Sequence, residues 1–349
     1  PASPVLVQHL TLWIGFLGAI LAARQNKLIA LTTTPLFSID EQFQLGRWLA
    51  KVVSFVVVLT LMWGSWVLVK IEFAFPVDIA PNIPRWFTQT VMPLSFGLIA
   101  VQILIKSTNN NLYRASILMM ALLWVIIGLT GAFQDDYWLK WIGLGILCIS
   151  VLYGAPIFVG LGGVAILFFW GDFTPMSAIP AEMYRIVVSP TLPTIPLFTL
   201  AGYILAESGA SQRMVDVFSS TFGWIKGGTP VVVVLLCGFF TALTGGSGVT
   251  ILALGGLLYP LLRKSGYSEL FSLGLITVSG SLGLLFPPSL PAIIYSVTAG
   301  VSVKSVFIAG LIPGTLLVVF VAGWAIFIGD KERIKVQSFQ WDSALKTLW

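Results

Sequence analysis

The 349-residue chain carries few charges, two cysteines and one histidine. Charged residues make up 9% of it and apolar residues 57%, where a soluble domain is roughly one quarter charged. With a mean hydropathy of +0.95, this excludes a soluble globular fold and places the chain in a bilayer. Cys148 and Cys237 both lie in apolar runs, where packing is the expected use rather than a disulfide, a metal site or a nucleophile. His9 has no sequence partner for a metal site or a catalytic triad, so no catalytic residue is assigned and no enzyme activity is expected. Acidic residues are absent between Lys226 and Arg263 and between Glu269 and Lys304; a buried carboxylate would be costly there. The net charge of +5 is read as basic residues at the ends of apolar segments, following the positive-inside rule. Membrane lipid, not nucleic acid, is the expected surrounding partner.

What the chain does have is a series of apolar runs close to the roughly twenty residues a span requires. The first four lie at 5–23, 49–69, 86–105 and 115–133. A mixed arm at 32–44 is too polar to span, and an Asn-rich stretch at 107–111 reads as a linker. The run 138–170 is too long for one span, and Gly154-Ala155-Pro156 at its middle predicts a tight hairpin of two short helices. Residues 174–193, with Glu182, Arg185 and several prolines, read as an interfacial arm. Residues 196–206 then enter the membrane, 270–299 form a helix broken at Pro287-Pro288, 306–328 form the last span, and 330–349 begin charged and continue amphipathic. The tryptophans, among them Trp63, Trp66, Trp86, Trp138 and Trp170, are expected to be interfacial anchors.

Residues 224–262 have Lys226 near one end and Arg263 and Lys264 beyond the other. Like charges at both ends predict a re-entrant helical hairpin with its tip at 244–248. This keeps Lys226, Arg263 and Lys264 inside with Arg24, Lys27, Lys106, Arg114, Arg213, Lys331, Arg333 and Lys335. Lys70, Arg85, Lys140, Arg185 and Lys304 fall outside, with Asp78, Asp135, Asp136 and Asp172.

Two interruptions carry the chemistry. Thr244-Gly245-Gly246-Ser247-Gly248 and Phe286-Pro287-Pro288-Ser289 put glycines, a double proline and hydroxyls into otherwise continuous apolar sequence. Broken helix is tolerated in hydrocarbon only where it lines a cavity or is buried in protein. Ion-coupled carriers build their sites from such breaks, with freed carbonyls for cations and helix N-termini for anions. The candidate substrate and sodium residues are Thr244, Gly245, Gly246, Ser247, Gly248, Thr250, Ser279, Pro287, Pro288 and Ser289. Without carboxylates, a cation here is held by hard oxygen ligands suited to sodium, namely the hydroxyls of Thr244, Ser247 and Ser289 and nearby carbonyls. The competing explanation for these small residues is close helix packing. Tyr295 and Thr298 suit a substrate-facing role or a packing role equally.

Arg263-Lys264-Ser265-Gly266-Tyr267, then Gly283-Leu284-Leu285-Phe286-Pro287-Pro288-Ser289, Ile294-Tyr295 and Phe307-Ile308-Ala309-Gly310-Leu311-Ile312-Pro313-Gly314 resemble the large membrane subunit of tripartite ATP-independent periplasmic (TRAP) transporters. Residues 156–209, with Ile195-Pro196-Leu197-Phe198 and Ala201-Gly202, are similar to the same subunit. Residues 1–107 resemble the small membrane subunit through Gly18-Ala19 and Ala23-Arg24. The resemblance implies an all-α polytopic membrane protein: small-subunit scaffold helices at 1–107, a linker and connecting helix at 108–137, and the first half of the transport region at 138–349. The hairpin and broken helix would belong to the first of two inverted repeats that move as an elevator.

The resemblance further implies sodium-coupled uptake of an organic acid, such as a sialic acid or a dicarboxylate, across a bacterial inner membrane. A periplasmic substrate-binding protein would deliver the acid, and the remaining half of the large subunit would be a further partner. The family's hairpin tip usually reads Ser-Gly-Ser. Here Gly246 stands at the second serine position and Ser247 follows, so carbonyls or Ser247 must substitute. A further helix before Pro1 and a second inverted copy beyond Trp349 are expected. The opening Pro1-Ala2-Ser3-Pro4, without an initiator methionine, reads as a processed, tagged or cut end. Two alternatives stay open: an organic-anion carrier that needs no binding protein, and a membrane scaffold that does not transport.

Overall fold

A computed structural model describes residues 3–31, 41–107, 111–130, 137–222 and 227–329. Several expectations lie outside the described residues: most of the polar arm (32–40), the linker at 108–110, Asp135 and Asp136, Trp224 and Lys226 at the entry to the hairpin, and the tail 330–349. The chain divides into two compact units, Pro1–Pro190 and Thr191–Trp349.

The first unit contains α1 (Ser3–Arg24), α2 (Glu41–Ala74), a small antiparallel hairpin of β1 (Asp78–Ala80) and β2 (Ile83–Pro84), α3 (Arg85–Gln89), α4 (Val91–Ile105), α5 (Asn111–Thr130), α6 (Tyr137–Leu152), α7 (Ile157–Gly171) and α8 (Ala178–Val187). No proline interrupts α2, so it runs past the apolar stretch at both ends. The turn between α6 and α7 passes through Gly154 at φ +96°, a conformation natural only to glycine, as the sequence predicts. Gly163 lets these two helices meet closely, since a Cβ there would lie 2.5 Å from Leu147. The core joins Phe55, Val58 and Leu61 of α2 with Phe96 and Ile99 of α4, Ile117 of α5, Leu147 of α6 and Ile166 of α7.

The short amphipathic arm α8 packs on this bundle and pairs its half-buried Tyr184 with the buried His9. His9 Nδ1 lies 2.7 Å from the Val5 carbonyl, which can only accept, so Nδ1 donates and Nε2 accepts from the Tyr184 hydroxyl at 2.7 Å. Burial pushes the Tyr184 phenol up to about 12. Trp170 corrects the expectation of an interfacial anchor: it is buried against Trp124, ring centroids 6.0 Å apart. Cys148 is exposed on the helix surface rather than packed, whereas Cys237 is buried.

The second unit contains α9 (Thr194–Glu207), α10 (Ala210–Phe222), α11 (Gly228–Thr244), α12 (Ser247–Lys264), α13 (Glu269–Leu282), a 3₁₀ turn (Gly283–Leu285), α14 (Leu290–Ala299) and α15 (Val303–Gly329). The amphipathic helix α10 is not anticipated from the sequence, where its polar residues read as a connection. Around α11, the core packs Val233, Leu236 and Phe240 against Leu254 and Leu258 of α12, Leu275 and Ile276 of α13, and Ala325 of α15.

Among the described residues, five helices are long and apolar enough to cross a membrane: Pro4–Arg24, Leu45–Ala74, Arg85–Ile105, Asn111–Gly128 and Val303–Phe327. A sixth span arises if the bent pair Glu269–Leu285 and Leu290–Ala299 counts as one. Large apolar side chains such as Leu10, Leu98, Leu122 and Ile312 face outward, as a lipid solvent permits. The chain is an all-α polytopic membrane protein.

Candidate functional site

α11 and α12 form an antiparallel hairpin. At its base, the hydroxyls of Thr229 and Ser265 are 3.2 Å apart, and near its tip those of Thr241 and Thr250 are 2.8 Å apart. The turn uses Gly245 at φ +68°, then Gly246 in an extended conformation; the first is a left-handed position that glycine fills without strain. If both ends of this hairpin lie on one face of the membrane, cysteines placed at Thr229 and Lys264 will react with an impermeant thiol reagent from the same side. Labelling from opposite sides would make residues 224–262 a single simple span and the hairpin wrong.

The break after α13 follows from its prolines. In a continuous helix the N–H of residue 288 would serve the carbonyl of Leu284, but Pro288 has none. Phe286, preceding a proline, is driven to an extended conformation, with ψ 142°. The Ser289 hydroxyl replaces the missing donor: it donates to the Leu284 carbonyl and also accepts from Ala292 N at 3.4 Å, capping α14. The two arms bend by 41°. Pro287-Pro288 is a cis peptide, with Pro287 exposed and Pro288 half-buried.

Tip and break meet. The Thr241 hydroxyl donates to the Gly280 carbonyl at 2.8 Å, and Thr244 Oγ1 lies 3.0 Å from Thr250 Oγ1. Thr241, Thr244 and Thr250 are all buried. A Cβ on Gly245 would stand 2.0 Å from Leu290 Cγ, and one on Gly283 would stand 2.2 Å from the Gly238 carbonyl oxygen. On the far side of the break, Gly310 of α15 approaches the Leu285 carbonyl, 2.5 Å from where its own Cβ would stand. The broken segment is thus clasped between α11 and α15.

Besides Gly245, Pro287 and Pro288, which shape the turn and the break, the expected residues sort into three groups. Thr244, Thr250 and Ser289 have hydroxyls already engaged within the protein. Ser279 is fully buried, and its hydroxyl has no hydrogen-bond partner among the described residues. Gly246, Ser247 and Gly248 form the half-open start of α12, which has no side-chain cap, so its first amides point at whatever enters. Of the two residues with open roles, Tyr295 is 61% exposed and Thr298 bonds its own helix at the Ile294 carbonyl.

The sequence does not single out Thr241, whereas Gly280 and Gly283 lie within the broken stretch it does mark. Thr241 stands one turn before Thr244 on α11, a spacing that places both on one helix face. The small residues at 279, 280 and 283 fall at similar spacing.

Four helix ends therefore converge here. The C-terminal ends of α11 and of the 3₁₀ turn present carbonyl oxygens, partially negative, and the N-terminal ends of α12 and α14 present amides, partially positive. Such a place can hold a small cation and an anionic group side by side.

Comparison with known proteins gives matches along nearly the whole chain. Residues 3–110 match the family described as tripartite ATP-independent periplasmic transporters, DctQ component, and residues 144–348 match the DctM component. The isethionate TRAP transporter permease protein DctMQ of Oleidesulfovibrio alaskensis is 26% identical over 337 residues, covering 95% of this chain and 53% of that protein. The C4-dicarboxylate TRAP transporter large permease protein DctM of Vibrio cholerae is 34% identical over 200 residues, 56% of this chain and 44% of that protein. The ectoine TRAP transporter large permease protein TeaC of Halomonas elongata is 32% identical over 179 residues, 50% of this chain and 42% of that protein. The chain spans about half the length of the curated relatives it matches.

Proposed function

The chain belongs to the tripartite ATP-independent periplasmic transporter family, with its small-component and large-component regions in one polypeptide. From that premise we propose that it forms part of a sodium-coupled importer of an organic acid in a bacterial inner membrane, supplied by a periplasmic substrate-binding protein. Residues 1–107 act as scaffold, 108–137 connect, and 138–349 supply the first half of an elevator-type transport region. The observation that carries this reading is the convergence of the uncapped α12 N-terminus with the break between α13 and α14. Those amides suit an acid group, and relatives named for C4-dicarboxylate and isethionate transport agree with an anionic substrate. The DctQ match favours delivery by a binding protein over a carrier that works without one.

For sodium, the expected ligands were the hydroxyls of Thr244, Ser247 and Ser289. Thr244 and Ser289 already serve protein partners, which shifts weight to Ser279 and to Ser247. A buried hydroxyl left without a partner is costly, and a bound cation supplies the missing interaction. In the full-length transporter, Ser279→Ala should hold or raise the melting temperature without sodium and raise the sodium concentration for half-maximal uptake about fivefold, the worth of one lost ligand of about 1 kcal/mol. An unchanged sodium titration would remove Ser279 from the cation site.

A further inference from the structure

Ser247 and Ser279, the hydroxyls proposed as cation ligands, stand on different elements, at the start of α12 and near the end of α13. A site built from two elements binds tightly when their separation is fixed before the ion arrives. Ser279 differs from its neighbours on α13. Thr277 and Ser281 donate to the Leu273 and Val278 carbonyls of their own helix at 2.8 and 2.7 Å, whereas the fully buried Ser279 hydroxyl has no partner among the described residues. Where it meets an ion depends on what holds the turn around it.

Thr241 of α11 holds that turn. Its hydroxyl donates to the Gly280 carbonyl at 2.8 Å and lies 2.8 Å from Thr250 Oγ1. Gly280 directly follows Ser279 in the last turn of α13, whose carbonyls look beyond the helix for donors. Thr250 stands three residues after Ser247, in the opening turn of α12. One hydroxyl therefore bridges the residue beside one candidate ligand and the turn that carries the other. The two segments also touch: a Cβ on Gly280 would lie 2.8 Å from Ile251 Cγ1 and 3.5 Å from the Ser247 carbonyl oxygen. The bridge adds direction to this contact, because hydrogen bonds weaken steeply when bent. Thr241 and Thr250 are both fully buried, and in a medium of low dielectric such bonds are stronger than in water.

We propose that Thr241 is a positioning residue for the cation. It keeps Ser247 and Ser279 at one separation, acting through Thr250 and Gly280 without touching the ion. This rests on the sodium reading above. A clasp between helices changes stability alone, whereas a bridge between two ligand-bearing segments also sets sodium affinity. Valine keeps the branched shape of threonine and loses the hydroxyl; serine keeps the hydroxyl.

The test uses the full-length transporter, in liposomes with its substrate-binding protein for uptake and in detergent for melting, with potassium replacing sodium at constant ionic strength. Two sodium concentrations are read for each variant, one for half-maximal uptake and one for half of the sodium-induced rise in melting temperature. Thr241→Val should raise both about tenfold, and Thr241→Ser should stay within about twofold of wild type. Thr250→Val, which leaves the bond to Gly280 in place, should raise both about threefold, and it carries the test should Thr241→Val not accumulate. The double variant should be no worse than Thr241→Val, because the two residues act through one bridge. Thr277→Val removes a hydroxyl that serves its own helix and should match wild type. A sodium-dependent wild type with an unshifted titration in Thr241→Val, whatever its melting temperature, would reduce Thr241 to a clasp and overturn the inference. A shift in Thr241→Val with none in Thr250→Val would make Thr241 itself a ligand and overturn the positioning role. A wild type indifferent to sodium in both measurements would sink the sodium reading and this inference with it.

Discussion

Gly283→Ala in the full-length transporter should abolish folded protein or lower its stability by about 3 kcal/mol or more. The new methyl group would stand 2.2 Å from the Gly238 carbonyl oxygen, 2.6 Å from the Ala242 nitrogen and 2.6 Å from Thr241 Cβ. Two of these atoms are backbone, so no side-chain rotation relieves the contact. α11 and the 3₁₀ turn must move apart, at an overpacking cost of about 1–3 kcal/mol. The same movement stretches the bond from Thr241 to the Gly280 carbonyl and strands a buried acceptor, at about 1–3 kcal/mol more. Against a total stability of about 5–15 kcal/mol this is a large share. Gly274 on α13 is the matched control, because a Cβ there meets nothing within 4 Å and alanine should be tolerated. Membrane yield and thermal melting of the two variants make the comparison; if both behave as wild type, the clasp around the break is wrong.

Gly248→Asp should separate transport from folding. Gly248 is exposed in the first turn of α12, with nothing within 4 Å of a Cβ, so the side chain fits. A carboxylate in the first turn of a helix is favourable by about 0.3–1 kcal/mol, and the melting temperature should hold or rise. That carboxylate would occupy the amides proposed to receive the acid group of the substrate and would repel it. Uptake should fall at least about a hundredfold, as expected when like charges cost roughly 3 kcal/mol. Near-normal uptake would take the α12 N-terminus out of the substrate site.

Features set by local rules were legible in the sequence: span lengths, the glycine turn at 244–248, the hairpin at Gly154 and the double-proline break. Each depends on residues adjacent in the chain. What escaped depends on partners far away. Thr199 and Thr277 bond carbonyls of their own helices, as hydroxyls in apolar helices usually do. Thr241 instead crosses to Gly280, 39 residues on, and nothing in its local sequence distinguishes it. His9 and Tyr184 are 175 residues apart. Trp170 reads as an anchor until Trp124 is seen beside it. The broken helix also stops earlier than its prolines suggest: α13 ends at Leu282, because a proline pair disrupts the turn that precedes it as well as its own position.

The meeting of hairpin tip and helix break is proposed as half of a sodium-coupled site for an organic acid. It is tested most directly by reconstituting the full-length transporter in liposomes with its substrate-binding protein and a radiolabelled dicarboxylate or other acid bound by that protein. Uptake is then compared under an inward sodium gradient and under an equal potassium gradient, for wild type and for Gly248→Asp. Uptake should require both sodium and the binding protein and should be lost in the variant while the protein stays folded. Equal uptake in potassium, or full uptake by the variant, would contradict it.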